Sequence, residues 1–548
     1  MEQNNTNITN TASPGVQNKF TVLAKTYRFE IALAVFFIVH ILFFSLGGII
    51  TPERMGIRGV DPVCYFSQLR SLVFDQDLDF ENEYRALDSF DALLTYPLTP
   101  LGRRPNGFSL GPALSVAPFY LFTHGILKIF GYAPLDGFSP PYQVSCFVGI
   151  AVYAFLGLIL AFRWLQLFYP SRIALIAVFF TWFSSSAVYY AFPITFMPHA
   201  ISLFFVVLFL YYAEKTKAQN KPVRWIMLGL MTACMSLVRW QNILFSLYLT
   251  PEILGLMKKS GFRNPEFRKN IALFILSGFA GFFPQFIAWK RLYGSFFTIP
   301  QGGGFLLWFR PSVISILFSS FNGLFSWTPV TLVGVIGLLI RMKNKKAGKI
   351  PLVLLILFCL QLYMNSIVRD WHGSWGFGMR RFVNCIPVFM VGIGALLMFL
   401  KSKVRLFIPV LALSVFLIWN YLFLVQYYLH LVAWNRTLTF HEMVTDKFHI
   451  FVSIERRGFV NTAYSSANKG YLDDAQKALG LAEEIDPNHA DIYFAGGQIA
   501  ASRGNREKAM EYYKKALVIA PNDKDVLRAM KALKTQSGIS TKIPGEFQ

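Results

Sequence analysis

The chain has 548 residues, is 54% hydrophobic and 17% aromatic, and carries a formal charge of +22 with a mean hydropathy of +0.44. Repeated apolar runs long enough to cross a bilayer exclude an ordinary soluble domain and give a polytopic, all-α membrane protein. The basic residues fall mainly in short loops between those runs, which orients a membrane chain and excludes nucleic acid as the partner.

Residues 1–28 are polar, rich in Asn and Thr, and read as a disordered cytoplasmic segment. Lys19, Lys25 and Arg28 precede the first span, Ile31 to Ile50, an uncleaved anchor. A dense acidic loop follows. Nine of the chain's 30 acidic residues lie between Glu53 and Asp91, and only five (Asp136, Glu214, Glu252, Glu266, Asp370) lie from Ala92 to Phe440. Carboxylates are costly near lipid, so this first outer loop, 51–141, is the best candidate for chemistry.

Basic loops at Arg163 to Arg172, Lys215 to Arg224, Lys258 to Lys269, Arg341 to Lys349 and Lys401 to Arg405 mark the cytoplasmic side. Between them the chain predicts spans near 142–162, 173–191, 197–213, 224–239, 241–257, 270–290, 326–340, 351–368, 382–400 and 405–424. The apolar stretch 108–130, with Pro112, Pro118 and His124, would reverse every later loop if it crossed. It reads instead as a juxtamembrane helix, leaving eleven spans with the N-terminus inside and the C-terminus outside. The five cysteines show no metal-binding spacing and read as small buried hydrophobes. Asn4, Asn7 and Asn435 stand in N-x-Ser/Thr triplets, which matter only in a glycosylating compartment.

The span-rich domain ends near residue 425, and 426–455 reads as a connector. Pro487 and Pro521 are 34 residues apart, as are Gly470 and Gly504, and Ala475 and Ala509. That period predicts two tetratricopeptide repeats, 456–489 and 490–523, with a capping helix near 524–535 and a tail at 536–548.

Several residues are candidates for chemistry. Asp61, about ten residues beyond the first span, could accept a proton from an incoming hydroxyl or serve as a helix N-cap before Pro62; Tyr65 follows one turn later. Asp75, Asp77 and Asp79 alternate, so an extended strand would put three oxygens on one face for Mg or Mn; a solvated acidic turn is the plainer alternative. No motif demands a cofactor. His199 lies in an outward loop free of acids. Asp370, His372, Arg380 and Arg381 share a glycine-rich outward loop suited to a lipid phosphate, since Arg grips phosphate oxygens in a fork. Arg239 adds positive charge on that side, and Arg310 is the one strong phosphate candidate in the outward stretch 293–327, so both join Arg380, Arg381 and His372 as candidate ligands of a donor phosphate.

These features together resemble the GT-C superfamily of integral-membrane glycosyltransferases, especially the protein O-mannosyltransferase-like (family 39-like) enzymes. The resemblance covers roughly 29–425. It rests on the Gly-x-Asp loop with DLDFENEY, on LGPALSVAPFYLFTH, on LFSSFNGLFSWTPV and on GSWGFGMRRFVNCIPVF. It implies an inverting transfer from a polyprenyl-phosphate sugar to a glycan or protein acceptor on the outer face of a bacterial inner membrane. Asp61 matches the family's catalytic base, and 108–130 its juxtamembrane helix. His199 stands about where the family often carries a second acid, which puts a metal requirement in doubt. The repeats are expected to hold an acceptor or partner protein. Two other readings stay open: a non-catalytic scaffold whose repeats recruit partners, and a glycan ligase or polymerase using diphosphate-linked donors.

Overall fold

A computed structural model describes residues 27–50, 56–87, 92–191, 196–261, 263–373, 376–433 and 436–535. The polar N-terminal segment, residues 192–195 of the His199 loop, Ser374, Trp375, the asparagines Asn4, Asn7 and Asn435 of the three triplets and the 536–548 tail lie outside them. Among the described residues the protein is helical, with one isolated β-bridge, Leu306–Val368.

The membrane body is built from α1 (Arg28–Ile50), α2 (Val60–Arg70), α3 (Gly111–Ile129), α4 (Pro140–Leu165), α5 (Ser171–Phe183), α6 (His199–Lys215), α7 (Pro222–Val238), α8 (Thr250–Ser260), α9 (Pro265–Tyr293), α10 (Val330–Met342), α11 (Ile350–Ser366), α12 (Ile386–Lys401) and α13 (Phe407–Tyr428). Proline stands in the first turn of α4, α7, α8, α9, α11 and α12, where its missing N–H costs nothing and its fixed φ starts the helix. Asn264 caps α9 by accepting from Phe267 N at 3.1 Å. Among the described residues four helices are long and apolar enough to cross a bilayer: Pro140–Leu165, Pro265–Tyr293, Arg380–Lys401 and Phe407–Tyr428. Four shorter apolar helices, α5, α7, α10 and α11, accompany them. The chain is therefore a multi-pass membrane protein.

Three predicted spans are broken in ways that periodicity does not reveal. The span near 173–191 stops at Phe183, because Ser184, Ser185 and Ser186 offer the backbone other partners. Ser185 Oγ donates to Trp182 O at 3.0 Å, and Asn420 Nδ2 donates to the freed carbonyls of Phe183 and Ser185 at 3.0 and 3.1 Å. The span near 241–257 divides into a ten-residue 3-10 helix, Trp240–Leu249, followed by α8. Runs of that length are uncommon in this tighter, poorly bonded form. The span near 326–340 is a short turn, Leu324–Trp327, then α10.

Glycines set one close helix crossing. A Cβ added at Gly337 would collide with the carbonyl of Gly392, and one at Gly392 with the carbonyl of Gly334, so α10 and α12 touch backbone to backbone. The start of α3 is seated in the same manner: a Cβ on Gly111 would strike the backbone of Leu237 and Val238 at the end of α7. The helix buries Val116 and Tyr120 but leaves Leu121, Phe122, Ile129 and Phe130 exposed.

The C-terminal part contains α14 (Ile450–Asn468), α15 (Leu472–Ile485), α16 (Ala490–Ser502), α17 (Arg506–Ile519) and α18 (Lys524–Thr535). Gly470 and Gly504, at the turns within each helix pair, both have left-handed φ (84° and 75°), which is why glycine stands at both. Small residues line the core: Ala463, Ala475, Ala482, Ala495, Ala509 and Ala516.

A buried ionic cluster joins this part to the connector. Arg436 pairs with Glu442 at 2.7 Å and with Asp523 at 2.8 Å, and lies 3.9 Å from Asp491. Arg456 bridges Asp446 and Asp486. Lys447 lies over the rings of Trp419 and Phe423 on α13, which ties the connector to the membrane body. Arg436→Met would strand the buried Glu442 carboxylate, at a cost of about 3–5 kcal/mol. The repeats should then undock, seen as new proteolysis within 436–456 while the membrane body keeps its thermal transition.

Candidate functional site

The site forms where the C-terminal end of α7 meets the N-terminal ends of α2, α6 and α12. Gly59, with φ 81°, turns the chain into α2 and places Asp61 in the first turn. Asp61 is not the N-cap; Gly59 holds that position and no side chain caps the helix. Its carboxylate is thus left for another partner. Arg380 provides it: Nη1 lies 2.9 Å from Asp61 Oδ2. These residues are more than 300 positions apart in sequence, and they meet because Arg380 opens a 3-10 helix, Arg380–Cys385, that feeds into α12. Gly378, at φ 59°, supplies the left-handed turn just before it.

Arg380 is enclosed by groups the sequence did not point to. Its Nη1 lies 3.8 Å from Met197 Sδ. Tyr190 Oη accepts from Phe377 N at 2.9 Å and holds the loop that presents the arginine. A Cβ on Gly376 would lie 2.8 Å from Arg380 Cδ and 3.0 Å from Tyr190 Oη. Gly376→Ala is expected to displace the guanidinium and lengthen its pairing with Asp61. A structure of the variant, alongside an unchanged unfolding temperature, would check it.

The second arginine segment faces the first. Arg239, in extended conformation just past α7, donates from Nη1 to His199 Nδ1 at 3.1 Å. Arginine only donates, so His199 accepts at Nδ1 and carries its proton on Nε2. The His199 ring packs 4.4 Å from that of Tyr190. Tyr65 is buried among Asp61, Arg239 and Arg380; burial, with Asp61 adding, pushes its phenol far up, while the two guanidiniums pull the other way. Its ring packs on Phe108 and Phe196.

Arg381 donates from Nη2 to Asp370 Oδ1 at 2.8 Å, and its Nη1 is buried without a partner among the described residues. His372 stacks on Phe321, rings 4.5 Å apart, and burial holds its imidazole below the ordinary range. Arg310 is exposed, and its side chain makes no bond to the site among the described residues. The structure therefore gathers Asp61, Tyr65, His199, Arg239 and Arg380, sets Arg381 with Asp370 beside them, and leaves Arg310 apart.

Asp75, Asp77 and Asp79 do not lie on a strand. Ser71–Asp75 is a π-helical turn that ends at Gln76, φ 57°. Asp75 accepts from Arg70 and from Asn82, whereas Asp77 accepts from Ser71 Oγ at 2.8 Å and from Asp79 N at 3.1 Å. The Asp75 and Asp77 carboxylates serve separate partners, and the ligand atoms of the three do not converge on one point. Buried Glu83 also pairs with Arg70, at 2.9 Å, and burial pushes its carboxyl up to about 7. The one His/Asp trio among the described residues with converging ligand atoms is His441, Asp446 and Asp486. Arg456 already lies between its two carboxylates, so a resident cation occupies that place.

The tetratricopeptide repeat family model matches residues 490–523, the span of α16, α17 and the turn after them. No curated protein matches the chain. Among solved structures, the crystal structure of ArnT from Cupriavidus metallidurans in the apo state is similar over 87% of this chain and 81% of that one, at 13% identity and a TM-score of 0.47. At that identity and TM-score the likeness carries neither an activity nor a substrate to this chain.

Proposed function

We propose that the protein is a GT-C-type membrane glycosyltransferase that moves a sugar from a polyprenyl-phosphate carrier to an acceptor on the extracytoplasmic side. The observation that supports this best is the pairing of Asp61 with Arg380, with Arg239, Arg381 and His199 gathered beside it. One acid among several fixed cations suits a reaction that removes a proton from one oxygen and leaves charge on another.

The donor phosphate takes Arg380 from Asp61, and Arg239 and Arg381 supply further donors. Freed from its partner, the Asp61 carboxylate takes the acceptor proton. The acceptor oxygen attacks the sugar C1 as the bond from C1 to the phosphate oxygen breaks. The electron pair leaves with the lipid phosphate, whose charge the arginines stabilise, and the anomeric configuration inverts. The donor is activated as a lipid, so no nucleotide-binding motif is needed. Arg163, Lys215, Arg341 and Lys401 stand at the far ends of α4, α6, α10 and α12, which favours an extracytoplasmic site.

The test is transfer in proteoliposomes from labelled sugars on polyprenyl monophosphate and on polyprenyl diphosphate. Turnover with the monophosphate alone supports the proposal. Turnover with the diphosphate alone favours a ligase or polymerase, and none with either favours the scaffold.

A further inference from the structure

The two segments that carry the arginines are built alike. Arg239 stands directly before the 3-10 helix Trp240–Leu249, and Arg380 and Arg381 open the 3-10 helix Arg380–Cys385. Asn242 comes three residues after Arg239, and Asn384 three after Arg381. Both asparagines are 0% exposed, and Asn384 Nδ2 donates to Asn242 Oδ1 at 2.7 Å.

Asn242 is itself held on several sides. Its backbone N–H donates to Arg239 O at 2.9 Å, and its Nδ2 donates to Ser202 Oγ at 2.8 Å and to Met235 O at 2.9 Å. Ser202 lies one turn along α6 from His199, so the same amide ties in the helix that carries the histidine. Asn384 Oδ1, by contrast, is buried with no partner among the described residues. An unmet acceptor weakens a fold, so this amide is poorly explained as a stabilising element. Its bond to Asn242 directly connects the two arginine-bearing segments. Such a tie matters more between 3-10 helices, whose own hydrogen bonds are weak.

We infer that Asn242 and Asn384 form a positioning pair that fixes the spacing of Arg239 from Arg380 and Arg381, so that one phosphate is gripped from both segments. The inference rests on the reading of those arginines as ligands of the donor phosphate. Neither asparagine touches substrate. A guanidinium fork demands fixed geometry from the oxygens it binds, so a loosened brace weakens the grip without removing a ligand.

The test is the double variant Asn242→Leu/Asn384→Leu. Replacing both partners by apolar groups leaves no half-broken amide bond between them, but Ser202 Oγ, Met235 O and Gln361 Oε1 each lose a donor, so folding of the variant is checked first. Donor KM and kcat are measured with the polyprenyl-phosphate sugar, and unfolding temperature with and without polyprenyl phosphate. The expected result is a donor KM raised about tenfold or more, from the sensitivity of bound geometry to displacements near 1 Å. The ligand-free unfolding temperature should stay within about 4 °C of wild type, and the shift given by polyprenyl phosphate should shrink. Asn384→Leu alone should raise KM as far as the double variant, because either change breaks the same bond. A folded double variant with wild-type donor KM overturns the inference. If the leucine variants do not fold, Asn384→Ser, whose hydroxyl is too short to reach Asn242, takes their place, and wild-type KM there overturns it equally. Arg239→Gln and Arg381→Gln are run alongside. If they leave donor KM unchanged the phosphate reading fails; if they raise it while the asparagine variants do not, only the brace fails.

Discussion

Asp61→Asn is expected to lower sugar transfer by about 10²–10⁴-fold, the range for loss of a positioned general base. That is about 3–5 kcal/mol of barrier at 1.36 kcal/mol per decade. Asparagine keeps the volume of the side chain and an oxygen able to accept from Arg380, so helix α2 and the arginine loop should keep their places. What disappears is the group that takes the acceptor proton. The loss should fall on kcat, with donor KM unchanged or lower, because Arg380 no longer sits in a full ion pair that the phosphate has to displace. Arg380→Gln should act in the opposite sense and raise donor KM. Single-turnover rates and donor titrations on the two variants separate these outcomes. Wild-type turnover in Asp61→Asn would remove the residue from the chemistry.

Gly392→Val is expected to prevent folding of the membrane body. The added carbons would occupy the place of the Gly334 carbonyl, and backbone on both sides leaves nothing that can rotate away. Overpacked cores typically lose about 1–3 kcal/mol, and a collision between two helix backbones belongs at or beyond the top of that range. Gly337→Val meets the Gly392 carbonyl and should fail likewise. Gly458→Ala is the control: it lies on α14 with open space around its Cβ, and should be neutral or slightly stabilising. Detergent extraction followed by size-exclusion chromatography reads all three, with aggregation expected for the two valine variants and a monodisperse peak for the control.

Much of the helical layout was legible because apolar run length, basic ends and first-turn prolines are local signals. The start of α4 at Pro140 and of α11 at Ile350, within two residues of expectation, follow from them. The breaks were not legible. A hydropathy pattern does not register that Ser184 to Ser186 can satisfy backbone groups, or that residues 240–249 wind as a 3-10 helix. The acid of the site and its arginines could be chosen separately, since charge at a membrane surface is conspicuous in a sequence. Their direct pairing depends on packing across the whole chain and leaves no local trace. Tyr190, Asn242 and Asn384 were missed for a related reason: a single polar residue inside an apolar run reads as tolerated. The only sequence signal for the asparagines is their shared offset from the arginines. The Asp75 to Asp79 alternation misled because it carries the period of a strand, whereas Arg70 and Ser71 draw its carboxylates into a compact turn.

The ionic cluster around Arg436 bears on reach. A free tether of the 20 or so residues between α13 and α14 would let the C-terminal helices wander about 25 Å. Clamped by Arg436 and Arg456, and pinned to α13 through Lys447, they have no such latitude. Under the proposed function, an acceptor gripped by the repeats meets the sugar at one set distance from its point of capture. The enzyme then works as a ruler, and shortening or lengthening the clamp should move the modified position along the acceptor.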